Sequence, residues 1–197
     1  MSDFRALAWS SERIMGVLRA GVLADPMLQN LFTVQNFVVT SDSPKEMQSG
    51  NAPQQGISVW LYHLEREAFL TTRFPERIAA DVVRRPPLPL QLHYLVTPVC
   101  QDSGTEQLLL GKVLEILSDR AILPPTPARV AKEETLHVTL EPIDLEATSR
   151  IWSALDAPYV LSVSYLACTV DIEAVETSLA TPVIESLPSM AQVVTVP

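Results

Sequence analysis

The sequence predicts an α/β (α+β) fold: a single mixed, largely antiparallel sheet with helices packed on it. Three observations predict it. Segments of helical and strand period follow one another in the order α-β-β-β-α-β-α-β, which suits one sheet covered by helices rather than a bundle or a sandwich. Residues 57–67 and 88–100 are long strand patterns that can pair antiparallel through the connection between them. The chain has 197 residues, 47% hydrophobic and 19% charged, enough for one core of ordinary size without disulfide staples.

The elements follow from local pattern. Residues 3–24 keep Phe4, Leu7, Ile14, Val17 and Leu18 near a 3.6-residue spacing, and Asp25-Pro26 ends that helix. Residues 31–40 are rich in β-branched and aromatic side chains and read as a strand, followed by a polar loop over 41–56. In the strand over 57–67, Ile57, Val59 and Leu61 alternate with Trp60, Tyr62 and Leu64. Residues 68–87 form a charged connection containing Arg73, Arg77, Arg84 and Arg85 and closing on Pro86-Pro87. In the next strand Leu88, Leu90, Leu92, Tyr94 and Val96 share a face, and Pro89 and Pro98 are limited to ends, edges or bulges.

Ser103-Gly-Thr-Glu106 has the spacing of a capping box. It opens a helix to about Arg120 with Leu109, Leu110, Val113, Leu114 and Leu117 on one face. Leu136–Leu140 reads as a short strand. Asp144 is placed to cap a helix over 145–155 with Leu145, Ile151, Trp152 and Leu155 inward. Tyr159–Glu173 is a third long strand. Residues 1–175 are expected to form the domain, with 176–197 an extended C-terminal arm that has no helical period and no Lys or Arg. Trp9, Trp60, Tyr62, Trp152 and Tyr159 are expected mostly in the core.

Composition removes several function classes. Fourteen Lys and Arg against 23 Asp and Glu leave a net charge of −9, which disfavours nucleic-acid and anionic-membrane binding. No apolar run approaches a membrane span, and the N-terminus has no signal-peptide pattern, so assembly in the cytoplasm is expected. Sixteen prolines but only six glycines leave little material for phosphate-binding loops, and no cofactor motif is present. Cys100 and Cys168 lie in strand patterns and read as structural thiols. His63, His93 and His137 also lie in strand patterns without a second ligand at metal spacing, so no metal is expected, although three strands are able to bring the three imidazoles together in space. A Cys168–His137 pair and a Glu65/Glu67 carboxylate pair are the remaining candidates for chemistry, and neither has a local signature.

Four blocks carry a resemblance when taken in order: Ile57-Ser-Val-Trp-Leu-Tyr-His-Leu-Glu-Arg-Glu, Arg85-Pro-Pro-Leu-Pro-Leu-Gln-Leu-His-Tyr-Leu-Val-Thr-Pro, Glu106-Gln-Leu-Leu-Leu-Gly-Lys-Val-Leu-Glu-Ile-Leu-Ser-Asp, and Ile151-Trp-Ser-Ala-Leu-Asp-Ala-Pro-Tyr-Val-Leu-Ser-Val-Ser-Tyr. Together they resemble the tail-terminator, or cap, family of phage-tail-like extracellular contractile injection systems, over about residues 5–173. The resemblance implies a non-enzymatic subunit of tail-terminator-like fold. It would form a ring, six-fold in the family, on the distal end of the inner tube and sheath, and would end polymerisation there. The implied partners are further copies of itself, the sheath protein and the inner tube protein, in a particle that is released or anchored. A baseplate or connector adaptor of the same particle and a small soluble enzyme are the alternatives. Candidate partner contacts are the basic Arg73, Arg77, Arg84 and Arg85, and the apolar Val183, Ile184, Val193 and Val194 of the arm.

Overall fold

The computed structural model describes residues 5–49, 55–67, 76–79, 82–84, 86–123, 135–172 and 177–179, with side chains for all of these except 76–79, 82–84, 169–172 and 177–179. The chain divides into two compact units, Met1–Thr72 with Pro87–Glu173, and Arg73–Pro86 with Ala174–Pro197.

In the larger unit, helix α1 (Ala6–Ala24) is followed by a 3₁₀ turn (Leu28–Asn30), strand β1 (Phe37–Thr40), helix α2 (Pro44–Ser49) and strand β2 (Gln55–Arg66). After the segment that forms β3 (Glu76–Ala79) and β4 (Val82–Arg84), the unit resumes with β5 (Leu88–Val99) and helix α3 (Ser103–Asp119). It then adds β6 (Ile122–Leu123), β7 (Leu136–Glu141), helix α4 (Leu145–Leu155) and β8 (Val163–Ile172). Six strands form one sheet in the order β1-β2-β5-β8-β7-β6. Only the β1–β2 pair is parallel. The pairs β2–β5, β5–β8, β7–β8 and β6–β7 are antiparallel, so the sheet is mixed and largely antiparallel as expected.

The long strands β2, β5 and β8 are central, and the sheet ends on the short β1 and β6. The short β1 covers only the start of β2, so among the described residues the rest of that edge is formed by β2 itself. Pro98 lies beyond the last pair that β8 makes with β5, Val96 opposite Val163, so its missing N–H interrupts no ladder on that side.

The core lies between this sheet and helices α1 and α3. Alternation along β5 turns Leu90, Leu92, Tyr94 and Val96 into it, opposite Ile14, Leu18 and Val22 of α1 and Leu109, Val113 and Leu117 of α3. Helix α1 is fixed across the sheet by three polar contacts. The Arg13 guanidinium donates to the Leu123 carbonyl on β6, Arg19 donates to the Val39 carbonyl on β1 at 3.0 Å, and Ser11 Oγ lies 2.9 Å from the Tyr94 hydroxyl between them. At its C-terminal end Gly21 lets α1 approach α3, where an added Cβ would meet the Ile116 side chain at 2.5 Å. Lys112 of α3 pairs with Asp25 at 2.9 Å just past the end of α1.

Burial pushes the Tyr94 hydroxyl up to about 12, with the Ser11 hydrogen bond opposing the shift. The folded value lies above the unfolded one of roughly 10, so this contribution is intact below pH 10 and lost as pH rises toward 12. Tyr94→Phe should therefore cost about 0.5–1.5 kcal/mol near neutrality and make the chain less sensitive to alkali. Tyrosinate absorbance followed with circular dichroism should show Tyr94 ionising together with unfolding, and ionisation of every tyrosine ahead of unfolding would contradict this.

Several expectations are corrected. The strand placed over 31–40 is confined to Phe37–Thr40, because Leu28–Asn30 forms the 3₁₀ turn and Asn36 caps the turn that follows by accepting from the Thr33 N–H at 2.6 Å. The loop placed over 41–56 contains α2, opened by a reciprocal capping box: the Ser43 N–H donates to Glu46 at 2.9 Å, and the Glu46 N–H donates to Ser43 Oγ at 3.3 Å. Pro44 occupies the first helical position, where its missing N–H costs nothing. Helix α3 is capped by Asp102, whose carboxylate accepts from the Thr105 N–H at 2.8 Å, and not by Ser103. Glu106 instead accepts from the Cys100 N–H at 3.4 Å. Asp144 does cap α4, accepting from Ala147 at 2.7 Å. In α4, however, Thr148 and Trp152 are the buried residues and Leu145 is 77% exposed. Of the large aromatics, Trp152 is buried, Trp9, Trp60 and Tyr62 are half-buried, and Tyr159 is exposed.

The smaller unit contains a three-stranded antiparallel sheet in the order β3-β4-β9, where β9 is Thr177–Leu179. Val82, Val83 and Arg84 pair with Leu179, Ser178 and Thr177. The connection read over 68–87 thus holds two strands, and the segment read as the start of the arm supplies the third.

Candidate functional site

The face of the large sheet turned away from α1 and α3 carries a polar cluster spread over four adjacent strands, and a bulge builds it. In β2, Ile57, Val59 and Leu61 point toward the core, and Leu61 lies opposite Tyr94. The register then slips between Leu61 and His63, leaving Tyr62 as the extra residue. His63 falls opposite His93, and Glu65 opposite Gln91, on the outer face. Leu64, expected on the face of Trp60 and Tyr62, instead lies opposite the core residue Leu92. A slip of one residue exchanges the faces of everything after it.

His93 is the centre of the cluster. Its side chain is 9% exposed, and its Nδ1 lies 2.9 and 3.0 Å from the two carboxylate oxygens of Glu141 on β7. Glu141 also accepts from Ser164 Oγ of β8 at 2.7 Å and from the Tyr62 hydroxyl at 3.4 Å, while Tyr62 and Ser164 lie 3.1 Å apart. Burial is the largest influence on Glu141 and opposes its ionisation. The hydrogen bonds from Ser164 and His93, the charge of His93 and the Tyr62 hydroxyl together outweigh it and hold the carboxyl below its ordinary range. Among the described residues the second nitrogen of His93 has no hydrogen-bond partner, and it faces Glu65 at 3.5 Å. His63 Nε2 lies 3.9 Å from the same Glu65 carboxylate.

Two of the three histidines are thus brought together. The third, His137, lies on β7 two strands from His93, opposite Cys168. That register makes the Cys168–His137 pair a cross-strand pair, but burial pushes the Cys168 thiol up, and the Glu67 and Glu141 carboxylates reinforce the shift. Burial likewise pushes Cys100 up to about 12, with Glu106 and Asp102 adding to it. Neither environment favours a thiolate nucleophile. Glu65 and Glu67 share the outer face, yet Glu65 is directed at the imidazoles and Glu67 accepts a hydrogen bond from Gln91.

Beside the cluster, Glu141 and Ser164 also line an open cleft of about 360 Å³ with Thr148 of α4 and three exposed apolar side chains, Leu140, Leu145 and Tyr159. Exposed apolar side chains gathered at a cleft are a common mark of a protein contact.

The sheet offers unpaired backbone as well. β1 pairs with Gln55–Ser58 alone, so among the described residues Val59–Arg66 of β2 hydrogen-bonds with β5 only. Such a run accepts an added strand from another chain.

Of the residues expected to contact partners, Arg77 and Arg84 lie opposite Val83 and Thr177 on β3 and β4. Arg73, Arg85, Val183, Ile184, Val193 and Val194 lie outside the described residues. Among the described residues, no helix is long and apolar enough to cross a membrane.

The arrangement is a mixed, largely antiparallel sheet with helices α1 and α3 packed on one face. The chain belongs to the Pvc16 N-terminal domain family, whose model matches residues 11–186. No curated protein sequence matches it. Among solved structures it is similar to the PVC sheath/tube terminator of an extracellular contractile injection system in the extended state, with a TM-score of 0.58 and 18% identity over 94% of this chain and 64% of that one. It is similar also to the tube-terminating cap of the anti-feeding prophage, with a TM-score of 0.55 and 18% identity over 89% of this chain and 59% of that one. The chain spans less than two thirds of the length of either.

Proposed function

We propose that this protein is the structural cap of a contractile injection particle. In this reading it assembles as a ring, six-fold as in the family it resembles, on the distal end of the inner tube and sheath and ends their polymerisation. The fold shared with two terminators across nearly the whole chain carries the reading. The partners are further copies of the chain, the sheath protein and the inner tube protein, and the role involves no catalytic step. A closed ring has heterologous contacts, so each subunit needs two different complementary faces. The run Val59–Arg66, paired on one side only among the described residues, supplies a strand edge for one, and the residues of 176–197 are the segment proposed to reach a neighbour. The Arg73, Arg77, Arg84 and Arg85 group is proposed to meet an acidic surface of the tube or sheath, a local basic exception in a chain whose net charge is −9.

The decisive experiment mixes purified chain with tube and sheath subunits and images the particles with labelled ends. The expected result is density at the end opposite the baseplate and uniform particle length. Density at the baseplate end would assign an adaptor instead, and no binding to either end would remove the structural reading. A chain ending at Leu179 retains β9 and should fold as the full chain does, with its capping lost. Reversing the charges of Arg84 and Arg85 should weaken capping in a salt-dependent manner.

A further inference from the structure

We propose that His63, Glu65 and His93 form a binding site for a divalent transition metal of the zinc class. The ligand atoms of the three side chains all lie within 4.8 Å of one another. Two imidazole nitrogens and one carboxylate oxygen suit zinc, copper or nickel and do not suit magnesium or calcium, which take all-oxygen shells.

The tautomer of His93 makes the argument specific. Its Nδ1–H donates to Glu141, so a neutral ring presents its other nitrogen, Nε2, as a lone pair. That nitrogen is buried, lacks a hydrogen-bond partner among the described residues and faces the Glu65 carboxylate at 3.5 Å. In the neutral ring two lone-pair groups face each other there, and a cation between them turns repulsion into ligation. The carboxylate behind the ring, Glu141, is itself held by Ser164 and Tyr62, which is the second layer that orients metal-binding histidines.

The geometry is within reach. Tetrahedral zinc with bonds of about 2.0–2.1 Å sets its ligands about 3.3 Å apart. The present separations are 3.5 Å from His93 Nε2 to Glu65 Oε1 and 3.9 Å from His63 Nε2 to Glu65 Oε2. His63 and Glu65 are 55% and 51% exposed, so both can close on the fixed His93 by changing rotamer. An ion there ties β2 to β5 across the bulge, and the three protein ligands leave a fourth position for water. The competing cation is a proton: an imidazolium at His93 would satisfy both carboxylates without a metal.

The test uses the full chain without a histidine tag, stripped with chelator and titrated with zinc chloride by calorimetry, and with cobalt(II) by absorption. One ion per chain, a tetrahedral cobalt spectrum and a rise in Tm with zinc are expected. His63→Ala and Glu65→Gln should each weaken zinc binding by about 10-fold or more, leaving the Tm of the stripped chain unchanged because both side chains are half exposed. Glu141→Gln should weaken binding by about 10–100-fold, and His137→Ala should not change it. No saturable binding below ~1 mM zinc, equivalent to only about 4 kcal/mol, would overturn the site. So would binding that survives both His63→Ala and Glu65→Gln, or nitrogen NMR showing His93 protonated on both nitrogens and indifferent to zinc.

Discussion

Gly56→Ala should destabilise the chain by about 3 kcal/mol or more, seen as a large fall in the urea midpoint. Gly56 has φ of 151°, in the region that side chains avoid. An added Cβ would stand 1.8 Å from the Val38 carbonyl oxygen and 2.7 Å from its carbon. Backbone atoms on both strands create the clash, so no side-chain rotation relieves it. The chain must separate β1 from β2, and with it the register of Phe37, Val38, Val39 and Thr40 against 55–58. The Arg19 contact to the Val39 carbonyl would loosen too, so amide exchange should accelerate first in β1. A loss below about 1 kcal/mol would mean that β1 does not approach Gly56 this closely in solution.

Trp152→Ala should cost about 3–5 kcal/mol, the usual range for deleting a large buried aromatic. Helix α4 buries two of its residues, Thr148 and Trp152, so most of its attachment rests on one side chain. The indole N–H donates to Ser162 at 3.3 Å, and the ring meets Tyr159 edge-on with centroids 5.9 Å apart. Trp152→Phe keeps most of the apolar contact and loses that hydrogen bond, so it should cost only about 1 kcal/mol more than the fit of the smaller ring. Thermal unfolding of the two variants separates packing from hydrogen bonding. Equal losses in both would show that the Ser162 bond, and not the buried ring, holds α4. If the cleft beside α4 is a contact in the cap, Trp152→Ala should also weaken capping at temperatures where the chain remains folded.

The bulge in β2 shows how much of the candidate site was legible. Up to residue 61 the aliphatic side chains stand at odd positions, Ile57, Val59 and Leu61. After it the odd positions turn polar, His63, Glu65 and Glu67, and the even Leu64 is apolar. That change of phase is the signature of an extra residue in a strand, and read as uninterrupted alternation it places His63 and Leu64 on the wrong faces. Similarly, Ser43-Pro-Lys-Glu46 carries the spacing of a capping box, and a short helix inside a polar loop follows from it. The Asp102 cap was less legible, because Asp102 and Ser103 are adjacent and either is a good N-cap by residue type.

The sequence by itself determined the elements with strong periods, α1, α3 and α4 and the long strands β2, β5 and β8, and it allowed β2 to pair antiparallel with β5. It also determined the family, since that rests on the order of residue blocks along the chain. Only the tertiary structure decided the strand order, the parallel entry of β1, the pairing of 82–84 with 177–179 and the meeting of His63, Glu65, His93 and Glu141. Those contacts join residues far apart in the chain, and a strand of period two carries no mark of which neighbour it will take. The polar cluster is therefore a product of register, fixed when Leu61 packs opposite Tyr94 and the next residue has to bulge.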